Sequence, residues 1–235
     1  TTSSNSDGSI TSTVQANTDA GFSIVTYTGT GSNATVGHGL ASSPDMVIVK
    51  NRTADTTGAW LVYHSANTSA PETDYLRLNG TEATADINSV WNDTAPTSSV
   101  FSIGTSSNVN TNTHTYLSYC FHSVEGYSKF GSYTGNGNAD GTFVYTGFRP
   151  AFIIVKSTAN ANWEMFDTTR SPSNVIGIRL FPSTTNAENT GEANCYDILS
   201  NGFKSRGAYG GNNISGNTYI YMAFAEAPFK YANAR

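Results

Sequence analysis

Apolar positions along this chain fall in short runs rather than in helical stripes. Segments 22–28, 46–50, 60–63, 100–103, 152–156 and 218–224 are β-branched or aromatic, and Gly, Asn, Ser and Thr separate them. That is the pattern of strands joined by tight turns. No segment sustains a 3.6-residue apolar period with caps, so helix is expected to be minor. In 115–121 and 218–224 both alternate faces carry apolar or aromatic residues, as in strands covered on both sides by a facing sheet or a neighbouring subunit.

The runs also repeat. Pro44-Asp45-Met46-Val47-Ile48-Val49-Lys50 returns 106 positions later as Pro150-Ala151-Phe152-Ile153-Ile154-Val155-Lys156, and Tyr27-Thr28-Gly29 returns at the same spacing as Tyr133-Thr134-Gly135. Trp60-Leu61-Val62-Tyr63-His64 answers to Trp163-Glu164-Met165-Phe166-Asp167, and Thr115 to Phe121 answers to Thr218 to Phe224, now 103 apart. Landmarks kept in order with loop-sized gaps predict a duplicated unit. The expected fold is all-β, with two tandem, duplicated β-sandwich units of jelly-roll type at 21–126 and 127–235. Residues 1–20 are read as a linker or an edge strand from a preceding module. A single fused sandwich is the alternative. The chain opens on Thr1 and its first residues lack an apolar signal region, so it reads as the C-terminal part of a longer polypeptide.

Composition narrows the function classes. Among 235 residues only 12% are charged and 12% are aromatic, with a net charge of −5. Solubility must come from hydroxyls and amides, and the recurring Tyr, Phe, Val and Ile clusters argue against disorder. Nucleic acid is a poor partner, because the 12 Lys and Arg are scattered rather than gathered into a basic surface. No run has the length of a membrane span.

Catalytic and metal patterns are not evident. His38, His64, His114 and His122 lack metal-ligand spacing and read as surface or turn residues. Asn136, Asn138, Asp140 and Gly141 match part of a calcium loop, but Gly147 stands where the closing Glu belongs, so a hairpin turn is the simpler reading. Asp74, Asp93, Glu125, Glu164, Asp167 and Asp197 offer no recognisable carboxylate pair, and no nucleophile elbow or phosphate loop is present. No catalytic residue, metal site or cofactor is expected. Cys120 and Cys195 occupy non-equivalent places, which excludes a duplicated disulfide framework. Two free thiols are expected, with one bridge between the repeats as the alternative.

Trp60 and Trp163 share one repeat position and read as core or inter-sheet residues, whereas Trp91 has no aromatic equivalent in the second repeat. Trp91, with Asn92 and Asp93 beside it, is therefore the candidate ligand-binding platform: a ring to stack on a sugar, with an amide and a carboxylate to fix its hydroxyls.

The stretch Asp19-Ala20-Gly21-Phe22-Ser23-Ile24-Val25-Thr26-Tyr27-Thr28-Gly29, the segment from Gly126 to Gly137, the turn Gly147-Phe148-Arg149-Pro150 and the ending from Met222 to Arg235 carry a resemblance. They resemble a β-rich C-terminal region of structural proteins of tailed, often marine, bacteriophages. The resemblance implies a non-enzymatic virion component assembled in the host cytoplasm and displayed on the virion surface. A tail fibre or appendage module contacting the host surface is the first expectation, a head fibre or capsid decoration protein the second, and a polysaccharide-degrading tail enzyme the third. Expected partners are other virion proteins, further copies of the chain in a homo-oligomer, with a trimer favoured, and a host surface glycan. The apolar residues of 218–224 and the Pro228-Phe229-Lys230-Tyr231 tail supply the surface for the oligomer.

Overall fold

A computed structural model gives the architecture and describes residues 1–53, 58–190 and 195–227. The protein is all-β, built from antiparallel sheets, and it divides into two compact units. The first comprises Thr1–Asn79 and Thr84–Ser123; the second comprises Gly80–Ala83 and Val124–Arg235.

Ten strands form the first unit: β1 (Ser3–Asn5), β2 (Ser12–Asn17), β3 (Phe22–Thr28), β4 (Ala34–Gly37), β5 (Met46–Asn51), β6 (Trp60–His64), β7 (Asp74–Arg77), β8 (Ala85–Asp86), β9 (Val100–Ile103) and β10 (Thr115–Phe121). Two single-turn helices, α1 (Asn88–Trp91) and α2 (Ser107–Asn110), interrupt them. The large sheet runs β1-β2-β3-β10-β5-β6-β7-β8, and β4 pairs with β9 in a small second sheet. Alternation along β3 and β10 turns Val25, Tyr27, Tyr116 and Cys120 inward, where they meet Val36, Phe101 and Ile103 of the small sheet and Val90 and Val109 of the helices. Full burial of a side chain such as Phe101 contributes about 1.5–3 kcal/mol.

Seven strands form the second unit: β11 (Ser128–Thr134), β12 (Phe143–Tyr145), β13 (Pro150–Ser157), β14 (Trp163–Asp167), β15 (Tyr196–Leu199), β16 (Gly202–Ser205) and β17 (Thr218–Ala225). The sheet β11-β17-β13-β14 packs its Tyr133, Ile153, Val155, Phe166, Tyr219 and Tyr221 against Val144, Ile198 and Phe203 of the sheet β12-β16-β15. Each unit is thus a sandwich-like pair of layers over one core. Among the described residues the strands divide eight and two, then four and three, rather than the four and four of a jelly roll.

Residues that the sequence repeat pairs make similar interactions, each in its own unit. β10 lies between β3 and β5, as β17 lies between β11 and β13. Tyr27 stacks on Tyr116 with centroids 5.1 Å and planes 13° apart, and Tyr133 stacks on Tyr219 at 5.1 Å and 15°. The Tyr27 hydroxyl donates to Val109 O at 2.7 Å, and that of Tyr133 to Asn212 O at 2.7 Å. The Asn110 amide oxygen accepts the Thr30 N–H, and the Asn213 amide oxygen accepts the Asn136 N–H. The Tyr116 hydroxyl accepts from Thr111 N and donates to Ser107 O, a pattern repeated by Tyr219 with Ile214 N and Gly210 O.

Residues 1–20 are not a loose lead-in, since β1 and β2 extend the large sheet at its edge. The division between units falls after Ser123, and Gly80–Ala83 join the second unit, where Ala161 N donates to Thr81 O and Ala83 N to the Asn160 amide oxygen. Both cysteines are buried.

Candidate functional site

The residues proposed as a stacking platform lie elsewhere than the sequence suggested. Trp91 ends α1 inside the first core and is only 3% exposed, with its indole N–H donating to Asp74 O at 3.0 Å. A ring covered on its faces cannot stack on a sugar, so the expectation of a Trp91 platform is corrected. Asn92 and Asp93 follow it with φ of 55° and 45°; the Asn92 N–H closes the helix on Asn88 O, and its amide oxygen accepts from Asn33. They terminate a helix rather than frame a ligand.

Other candidates also resolve into packing. His38 and His64 are buried, not superficial: each sits just past or at a strand end, and its Nδ1 accepts the N–H of a following residue, Leu40 or Ala66. Burial lowers the His38 pKa. Trp163 is buried while its counterpart Trp60 is half-buried, parallel to Tyr119 at 6.5 Å. In the suspected calcium loop the Asn136 and Asn138 side-chain oxygens accept backbone N–H groups of Asn138 and Asp140. Lys204 lies 2.5 Å from Asp140 and holds that carboxyl below its usual range.

The polar centre lies in the second unit. Glu164 projects from β14 and is 3% exposed. Its Oε2 accepts the Tyr209 hydroxyl at 2.5 Å, and Arg179 Nε lies 3.7 Å from its Oε1. Arg179 Nη1 donates to Tyr209 Oη and to Cys195 Sγ, both at 3.0 Å, and the guanidinium lies over the rings of Tyr209 and Phe181, 4.9 and 5.5 Å from their centroids. Gly211 is required beside this cluster, because a Cβ there would meet Glu164 Oε1 at 2.3 Å.

The long connection from β14 to β15 builds the site's wall. Leu180 exchanges both backbone hydrogen bonds with Met165 of β14, and Arg179 does the same with Asn189, so this connection extends the sheet edge in two steps. Connections of this length without named elements are commonly functional. Between these walls opens a cavity of about 550 Å³, lined by Asn160, Asn162, Glu164, Arg179, Phe181 and Asn186 among others. That volume falls within the roughly 300–1,000 Å³ of small-ligand sites.

Burial raises the Glu164 pKa, against the pull of Tyr209 and Arg179. Burial likewise raises the Tyr209 hydroxyl and the Cys195 thiol. A thiol pushed upward stays protonated at neutral pH, the reverse of an activated nucleophile. The cluster is suited to holding hydrogen-bonding groups in fixed places. In the sequence its one visible sign was Glu164 at the repeat position of Leu61; Arg179, Cys195 and Tyr209 come from loops or strand starts without periodicity.

Fold and site together define a two-unit, sandwich-like β protein with an open polar groove in its second unit. The family described as a domain of unknown function (DUF7483) matches residues 1–228, so the chain belongs to that family. No curated protein and no solved structure matches the chain.

Proposed function

We propose that the chain is a non-enzymatic structural module of a phage virion, displayed on the particle surface as a tail fibre or appendage component that contacts the host. Its two units are copies of one sandwich. The observation that carries this reading is the shared tyrosine and asparagine hydrogen-bonding scheme, in which Tyr27, Tyr116 and Asn110 act as Tyr133, Tyr219 and Asn213 do. Tandem rigid units with a hydroxyl- and amide-rich exterior suit a display or spacer role outside cells. The resemblance to phage structural proteins supplies the particle context.

The module acts as a homo-oligomer, a trimer in the fibre setting. Phe143 and Tyr145, 44% and 64% exposed on β12 at a sheet edge, offer apolar surface for a second copy. The Pro228-Phe229-Lys230-Tyr231 tail invoked for the same role lies outside the described residues. The test is mass spectrometry and immunogold labelling of purified particles from the phage encoding the chain. Peptides of the chain in the particles and gold on the tail are expected; gold on the head selects the decoration reading. Particles without the chain overturn the proposal.

A further inference from the structure

The groove owes its polarity to residues that stand where the first unit is apolar or neutral. Leu61 lies opposite Val49 in the first unit, and Glu164 lies opposite Val155 in the second. Tyr75 precedes Leu76, the partner of Val62, and pairs with Ala85; Arg179 precedes Leu180, the partner of Met165, and pairs with Asn189. Ser106 O accepts the N–H groups of Val109 and Asn110, as Tyr209 O accepts those of Asn212 and Asn213. Leu61 and Tyr75 pack with the first core, so the same framework is stable without charges at these places.

Burying a carboxylate and a guanidinium costs several kcal/mol per ion before their attraction is returned, and an apolar pair of similar volume is often as stable or more so. Packing therefore does not explain Glu164 and Arg179. In the second unit these residues line an open cavity of about 550 Å³. Its other lining is amide-rich, with Asn160, Asn162 and Asn186, and Phe181 contributes an aromatic ring. Its lining carries two carboxylates and one guanidinium: Arg179 faces Glu164, and Glu188 pairs at 3.0 Å with Arg170, which also binds Asp167. A lining without surplus positive charge suits a neutral ligand, and planar amide, guanidinium and carboxylate groups suit hydroxyls.

Resting on the host-surface reading above, we propose that this groove is a binding site for a neutral oligosaccharide, with Arg179, Asn162 and Asn186 as the hydroxyl-binding groups, buried Glu164 as the residue that positions Arg179, and Phe181 as its apolar contact. The experiment is saturation-transfer NMR with isothermal titration of the chain against malto-, cello- and manno-oligosaccharides. It compares the wild type, Asn186→Ala at the exposed rim, and the double variant Glu164→Leu with Arg179→Tyr, which installs the first unit's pair. At least one series should bind the wild type. Asn186→Ala should weaken it by about tenfold or less, the range of one hydrogen bond, and the double variant should abolish it while melting cooperatively. Absence of binding to every series, or unchanged binding by a folded double variant, overturns the site. Host-cell attachment measured in parallel separates the two readings. Attachment that survives the double variant, when no sugar series binds the wild type, leaves the surface role standing and overturns the site. Sugar binding by a chain that does not attach to cells keeps the site and overturns the surface role.

Discussion

Trp91 meets Tyr63 edge to face, with ring centroids 6.2 Å apart and planes at 81°. In the second unit Phe166, the sequence-repeat counterpart of Tyr63, meets Tyr196 at 5.2 Å and 79°. The contact makes Trp91 a keystone of the first core. Trp91→Ala should lower unfolding stability by about 3–5 kcal/mol, the usual loss for a buried aromatic truncated to Ala, and it also orphans Asp74 O. Equilibrium denaturation followed by circular dichroism measures this, and an unchanged midpoint would remove Trp91 from the core.

A second prediction concerns the tyrosine hydroxyls. Tyr133 Oη lies 2.7 Å from Asn212 O and 2.9 Å from Tyr196 Oη, all buried. Tyr133→Phe keeps the ring stack but leaves those groups without their partner, and a loss of about 1–3 kcal/mol is expected. Tyr27→Phe should cost a similar amount through Val109 O. Chemical unfolding of both variants is the check. A loss in one variant and none in the other would show that the shared geometry does not carry shared energetics.

The strands were legible because their apolar landmarks recur in order, and the structure places Met46–Asn51 beside β10 and Pro150–Ser157 beside β17. What recurs is the core pattern, so the sequence showed most clearly the part that the two units share. The groove belongs to the part they do not share. Glu164 was visible as a charge in a strand, but Arg179 and Tyr209 reach it from distant loops, and no spacing rule connects them. Trp91 misled for the opposite reason. Its lack of a repeat partner suggested freedom from the core, whereas it packs on Tyr63 inside the first core.

Lys156 supplies a pH prediction. Its side chain is fully buried, the amine donates to Ser157 O at 2.6 Å and Ala159 O at 2.8 Å, and burial lowers its pKa to about 8 although Glu82 pulls the other way. Between that value and the ordinary 10.5 the unfolded chain binds a proton that the folded chain does not, so this group's contribution to stability rises with pH. Lys156 alone should contribute a gain on the order of 1–2 kcal/mol between about pH 8 and 9.5, while the buried Cys120 and Cys195 thiols, pushed upward by burial, ionise in the unfolded chain over the same interval and pull stability the other way. Lys156→Met should therefore make stability fall more steeply with pH than in the wild type, in denaturation curves taken across the interval. An equal slope in the variant would assign the effect to another group.

The last prediction tests how the charged cluster is held. Glu164→Leu alone leaves Arg179 in the interior without its carboxylate and leaves the Tyr209 hydroxyl without its acceptor, so a loss of about 3–5 kcal/mol is expected. Arg179→Tyr alone leaves a buried carboxylate that still accepts from Tyr209, and protonation of Glu164, whose pKa burial already raises, relieves part of the cost. It should therefore be the milder single change, and its penalty should shrink toward acid pH. Combining the two removes both charges and installs a pair resembling Leu61 and Tyr75, so most of the lost stability should return. The coupling between the sites should then be on the order of 1–3 kcal/mol, as for residues in one network. A double-mutant cycle by urea denaturation at neutral and acid pH reads all three terms. Simple additivity would mean that the carboxylate and guanidinium do not support one another, and that the groove's shape rests on the loop backbone alone.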